Sequence, residues 1–205
     1  MANFDSAYSF GSYEGPLQQL IHLFKYAKVE SLAGPLGRLL MQALPLDSNF
    51  DLIMAMPLHW RKRWERGFNQ AELLAEPVAR RYGMRLATNL RRARYTKSQA
   101  GLSEPARREN LRGSFRVHRP EQLAGKRVLV IDDVFTTGAT LRAAAAVLKS
   151  AGAAHVSALT LARVDRAIST RSALKSAAAA WGQSTSVSTA AGEQQPKPAS
   201  RLEVG

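Results

Sequence analysis

Asp132 and Asp133 stand side by side at the end of the aliphatic run Val128–Ile131. Thr136, Thr137, Gly138, Ala139 and Thr140 follow after two apolar residues. Each residue type has a chemical use. Adjacent carboxylates accept hydrogen bonds from a vicinal diol or help to hold Mg2+. Threonine hydroxyls donate to an anion, and Gly138 lets a backbone approach one closely. A helix starting at Leu141 would add free N–H groups and a favourable dipole for phosphate. A ligand with a sugar diol at one end and a phosphate at the other fits this layout. A strand-end cap followed by an ordinary N-cap turn would use the same residues, so the run alone leaves both readings open.

A second constellation lies in MPLHWRKRWERGFNQAELLA, Met56 to Ala75. It follows a short apolar strand, Asp51 to Met56, that stops at Pro57. His59 to Gly67 reads as a basic loop whose His59, Arg61, Arg63 and Arg66 could face a pyrophosphate; a solvated surface loop has the same composition. Trp60 and Trp64 suit either base stacking or a hydrophobic lid on the domain edge.

The elements that must carry these residues alternate between strand and helix. Val128–Ile131, Asp51–Met56 and Val156–Leu161 read as strands buried on both faces, with Asp132 and Asp133 ending the first. Leu17–Ala27, Leu36–Ala43, Asn69–Tyr82 and Leu141–Ala151 read as helices, with Pro77 placed to kink or break the third. Leu86–Leu90 and Phe115–Val117 are short strand candidates. Between them Arg91–Arg112 is polar, basic and poor in large apolar residues. The alternation implies an α/β fold with a mostly parallel sheet.

The charge is concentrated. Net charge is +13, and residues 59–127 hold 18 Lys/Arg against 6 Asp/Glu, a local net of +12. That segment calls for a polyanionic ligand or a nucleic-acid backbone. With no cysteine, disulfides and Cys-based zinc sites are excluded. No apolar run reaches membrane-spanning length and the N-terminus lacks a signal-peptide pattern, so the location expected is cytoplasmic. The domain plan expected is an N-terminal extension over 1–12, loose to about Ser9, a single domain over 13–165 and a disordered tail over 166–205. The tail is rich in Ala, Ser, Gln and Pro.

The run Val128–Thr140 resembles the PRPP-binding signature of type I phosphoribosyltransferases (PRPP is 5-phosphoribosyl 1-diphosphate). Two further blocks make the resemblance specific. P-L-H-x-x-R-x-x-x-R-G-F-N-Q-A-E-L-L-A is similar to the signature of the ComF family of competence-associated, phosphoribosyltransferase-like proteins. Arg94, Thr96, Gln99 and Leu102, then Arg107 or Arg108, Asn110, Gly113 and Phe115, fit that family's later pattern, and YEGPLQQLIHLFKYAK its opening helix. The resemblance covers residues 13–165. It implies a type I phosphoribosyltransferase fold with a parallel sheet, flanking helices, a small hood and a flexible active-site loop.

By that resemblance Asp132 and Asp133 bind the ribose and, directly or through PRPP, Mg2+, and Thr136, Thr137, Gly138, Ala139 and Thr140 bind the 5-phosphate. Pro57, Leu58, His59, Arg61 and Arg66 face pyrophosphate, and Arg94, Thr96, Gln99, Arg107, Arg108 and Asn110 lie on the flexible loop. Two departures stand out. Many members open with a four-cysteine zinc ribbon, which a chain without cysteine lacks, and Thr136 stands where 6-oxopurine salvage enzymes place an Asp. Two functions remain open at this stage. One is pentosyl transfer from PRPP. The other is a non-catalytic module that senses PRPP or binds single-stranded DNA.

Overall fold

The computed structural model describes residues 4–27, 29–46, 48–93 and 113–164. The expected flexible loop, with Arg94, Thr96, Gln99, Arg107, Arg108 and Asn110, lies outside the described residues, as does the expected tail over 166–205.

Five strands form a wholly parallel sheet: β1 (Ser6–Ser12), β2 (Leu52–Ala55), β3 (Arg85–Ala87), β6 (Arg127–Phe135) and β7 (His155–Arg163). Their spatial order is β1-β7-β6-β2-β3. Two short strands, β4 (Leu90–Arg92) and β5 (Phe115–Val117), pair antiparallel as a separate ribbon. The helices are α1 (Gly15–Tyr26), α2 (Ala33–Gln42), α3 (Trp60–Arg66), α4 (Gln70–Tyr82) and α5 (Ala139–Ser150), with 3-10 turns at Glu30–Leu32 and Pro120–Leu123.

Alternation along β6 explains its central place. Leu129 and Ile131 enter one apolar layer with Ile21, Phe24, Leu40, Leu74 and Val78 of α1, α2 and α4. Val128 and Val130 enter the other, with Leu141, Ala144 and Leu148 of α5. All four strand residues are fully buried, each stabilising the fold by roughly 1.5–3 kcal/mol through burial. Alanines at 144 and 145 keep α5 close to the sheet.

Several sequence expectations change. The N-terminal residues expected to be loose to about Ser9 include β1, paired with β7 from Ser6 to Ser12. The expected basic loop His59–Gly67 is mostly helix, since α3 spans Trp60–Arg66. Asp132 and Asp133 do not end their strand: β6 continues to Phe135, its Asp132 and Val134 in register with Thr160 and Ala162 of β7. Leu86–Leu90 divides between β3 and β4, in different sheets. Pro77 neither breaks nor ends α4. Its ring packs on Gly37 of α2, where a Cβ would sit 2.7 Å from Pro77 Cγ, so Gly37 is what admits proline at this helix crossing.

The strand order sets the position of a ligand crevice. After β6 the chain passes through α5 to β7, on one side. After β2 it passes through α3 and α4 to β3, on the other. The direction reverses between β6 and β2, and such a reversal leaves a crevice outside the carboxyl ends of the two strands.

Candidate functional site

At that crevice Met56 continues β2, its N–H donating to Ile131 O at 2.7 Å. One residue further along β6 comes Asp132. A small open pocket there is lined by Met56, Asp132, Val134, Phe135, Thr136, Gly138, Thr140, Leu141, Ala158 and Thr160. It therefore unites the acidic pair's first member with three residues of the expected phosphate loop.

The loop is built for close approach by a ligand. Gly138 is the N-cap of α5 with φ 71°, in the left-handed region that disfavours side chains. A Cβ there would lie 2.8 Å from the Phe135 ring. Arg142, one turn into α5, donates to Thr137 O at 2.8 Å and so ties the loop back onto its helix. Thr137 Oγ1 is buried with no hydrogen-bond partner among the described residues. An unmet buried hydroxyl costs about 1–3 kcal/mol, which an anion at the N-terminus of α5 would relieve. Thr136 is exposed at the rim.

The acidic pair has an uneven environment. Asp132 Oδ1 accepts the Asp133 N–H at 2.9 Å. Burial, then the neighbouring Asp133 charge, pushes the Asp132 carboxyl up to about 7, with Lys25 and Arg92 only partly opposing them. Asp133 is in contact with the Lys25 ammonium, Nζ to Oδ1 2.9 Å. Burial alone would lower Lys25, but Asp133 and, less strongly, Asp132 outweigh it and hold the ammonium above its ordinary value. Arg92, at the end of β4, is drawn down by burial and only partly held up by Asp132. Its guanidinium lies 5.3 Å from the Phe115 ring centroid.

The segment after β2 is more heavily tied within itself than a ligand loop would need to be. His59 is buried and caps α3, its Nδ1 accepting the Arg61 N–H at 3.3 Å. Accepting at Nδ1 puts the ring proton on Nε2. Arg61 lies over the Trp60 ring, 5.9 Å from its centroid. Arg63 pairs with Glu72 at 2.9 Å. Arg66 donates to Gln70 Oε1 at 3.1 Å and lies 5.5 Å from the Tyr26 ring centroid. Asn69 caps α4 through Ala71 N–H and donates to Met56 O at 3.1 Å, which pins the helix start to the end of β2. Pro57, Leu58, His59, Arg61 and Arg66 thus follow directly from the crevice strand, although none lines the pocket around Asp132.

Lys25 and Arg142 at this site were not singled out from sequence. Arg92 was expected, with Arg91 and Arg94, to serve nucleic acid away from the ligand crevice, whereas its burial and the Asp132 charge beside it place it at the crevice. Arg142 had a usable signal, a cation one helical turn past a glycine N-cap. Lys25 had none, and nor did the crevice position of Arg92, because each meets the acidic pair only through tertiary packing.

Residues 69–180 match the phosphoribosyl transferase domain family. A DNA utilization protein YhgH of Salmonella typhi is 37% identical over 158 residues, 72% of this chain and 67% of that protein. Competence protein F of Haemophilus influenzae is 31% identical over 169 residues, 78% of this chain and 74% of that protein. The chain belongs to the ComF family. It is a phosphoribosyltransferase-like member with the α/β type I fold, and it spans about two thirds of the length of the YhgH relatives. Among solved structures, adenine phosphoribosyltransferase from Thermoanaerobacter pseudethanolicus is 22% identical with a TM-score of 0.42. The match covers 67% of this chain and 83% of that one. At that distance the family assignment rests on the sequence matches. No helix among the described residues of this ComF protein is long and apolar enough to cross a membrane.

Proposed function

We propose that this protein binds PRPP together with Mg2+ at the crevice between β6 and β2, and that it does so in the cytoplasm in the service of DNA handling. The observation that carries the reading is the continuous run from Asp132 to Thr140. It offers two carboxylates in the last residues of β6, a left-handed glycine cap and a buried unpartnered Thr137 hydroxyl, all at the reversal of strand order. Asp132 and Asp133 would accept the ribose hydroxyls. Thr136 to Thr140 would hold the 5-phosphate. His59, Arg61 and Arg66, behind Pro57 and Leu58, would face the diphosphate.

The residues suit a metal that arrives with the ligand. No cluster of three or more His, Asp or Glu groups exists among the described residues, and Mg2+ commonly takes one or two carboxylates plus substrate oxygens. When bound, it would neutralise charge on the leaving diphosphate. In a transfer, the anomeric carbon–oxygen bond breaks, diphosphate leaves with the electron pair and an acceptor nucleophile forms the new bond. The protein's part would be to position ribose and diphosphate and to exclude water. The test is calorimetric titration with PRPP and Mg2+, followed by diphosphate release across candidate acceptors. The double variant Asp132→Asn, Asp133→Asn should stay folded and lose binding, at about 1.5–3 kcal/mol for each charge-assisted contact. Unchanged affinity in that variant would remove the assignment.

A second reading, binding of single-stranded DNA, is favoured by α3. Trp60 and Trp64 are 68% and 86% exposed on a helix that also carries Arg61, Arg63 and Arg66. Exposed indoles among cations suit stacked bases, and relatives carry the names DNA utilization protein and competence protein. The two readings are compatible, and competition between PRPP and DNA would tell whether they share a surface.

A further inference from the structure

Lys25 belongs to a helix whose sequence advertises only a core face. In α1, Ile21 and Phe24 are fully buried. Lys25 lies four residues after Ile21 and therefore on the same side of the helix. Its aliphatic stem runs inward, and its ammonium meets Asp133 at 2.9 Å, with both side chains only about 15% exposed (15% and 14%). A buried ion pair of this kind is weak evidence for stability, because the desolvation of two charges offsets their attraction. A role at the site accounts for it better. Two adjacent carboxylates repel each other and disfavour joint ionisation. Lys25 is the cation in contact with Asp133, the second member of the pair.

The neighbouring residue extends the connection. Tyr26 presents its ring to the Arg66 guanidinium at 5.5 Å, and Arg66 in turn donates to Gln70 at the start of α4. Consecutive residues of one helical turn thus hold the diol end of the crevice through Asp133 and the diphosphate end through Arg66. We propose that Lys25 is the resident cation of the acidic pair, standing where a protein-bound divalent ion would otherwise sit. With Tyr26 it acts as a positioning unit that fixes the end of β6 against α3. The inference rests on the ligand reading above for the identity of the two ends. It has a consequence of its own: Lys25 balances the charge of the pair in the free protein, so its removal should open Asp132 and Asp133 to a divalent cation.

The experiment is Mn2+ binding by electron paramagnetic resonance without PRPP, since Mn2+ shares the oxygen-ligand preference of Mg2+. Wild type should show no Mn2+ binding that Asp133→Asn removes. Lys25→Met should expose the carboxylates and tighten Mn2+ binding by about tenfold or more. Lys25→Arg, which restores the charge, should behave as wild type. In parallel, Lys25→Met should weaken PRPP binding in saturating Mg2+, and Lys25→Arg should recover part of it. Tight Mn2+ binding by wild type at Asp133 would overturn the proposal, and this arm holds even if Lys25→Met fails to fold. A folded Lys25→Met with unchanged Mn2+ affinity would overturn it too. The metal arm contains no PRPP, so a wild type that ignores PRPP would refute the proposed ligand while the Mn2+ result still decides the role of Lys25.

Discussion

Asp132 is a burden on the fold at neutral pH, because its carboxylate is buried beside a second one. Burial and the adjacent Asp133 lift its carboxyl from an ordinary 3.8 to about 7. Between those values the folded protein keeps a proton that the unfolded chain has released, so stability falls as pH rises through that window and levels off above it. Asp132→Asn removes the titration while keeping an acceptor for the Asp133 N–H. In metal-free buffer the variant should therefore melt above wild type near pH 8, with the gap closing toward pH 4, and it should lose PRPP binding. Scanning calorimetry across that range checks it, and a difference in melting temperature independent of pH would contradict the assignment. Legibility at this scale followed chain distance. The residues from Asp132 to Thr140 announced themselves because strand end, glycine cap and helix start are local chemistry. Thr137 gained its meaning only from burial without a partner, and Lys25 only from an ion pair across the fold.

Elements with an internal apolar pattern were readable, and those defined by their neighbours were not. The fully buried strands and α4 follow from composition, although Asn69, read from the sequence as the first helical residue, is the cap of α4. β1 escaped because SAYSFGS shows no alternation: it is an edge strand held by pairing with β7 and by Asp5, which accepts the Val156 N–H at 2.7 Å. α3 escaped because WRKRWER carries no apolar stripe and starts on a histidine cap, so charge density alone suggested a loop. That misreading matters for function. A helix displays Trp60 and Trp64 four residues apart, hence on one face, as a fixed platform. Trp60→Ala and Trp64→Ala should each weaken single-stranded DNA binding by roughly 1–3 kcal/mol. Melting temperature and PRPP affinity should hardly move, because neither indole is buried. Fluorescence anisotropy with a labelled oligonucleotide, beside thermal melts, separates these effects; a large loss of stability would mean that the indoles pack rather than stack.

For the molecule as a whole, the surplus of positive charge over residues 59–127 exceeds what one small anion requires, and the fold divides it. Arg91 and Arg116 face each other across the β4–β5 ribbon, both exposed. Like charges directly opposite on a strand pair are destabilising, so the fold tolerates a cost that an anionic partner would offset. Arg92, next in sequence, turns the other way and lies near Asp132 at the crevice. The ribbon also brings the two ends of the segment expected as the flexible loop together, Ala93 N–H donating to Ser114 O at 2.8 Å. Under the proposed function one short ribbon would carry cations for two purposes, and substitutions should separate them. Arg91→Ala with Arg116→Ala should flatten the log–log salt dependence of single-stranded DNA binding by about 0.7 for each phosphate that is no longer neutralised. The same pair should leave PRPP affinity intact and stability unchanged or slightly higher. Arg92→Ala should do the reverse, weakening PRPP binding while keeping most of the salt slope. The measurement is DNA affinity from low to near-physiological salt for wild type and both variants, alongside PRPP titration. If wild type binds no DNA even at low salt, the nucleic-acid reading fails, and the opposed arginines must answer to a different acidic partner.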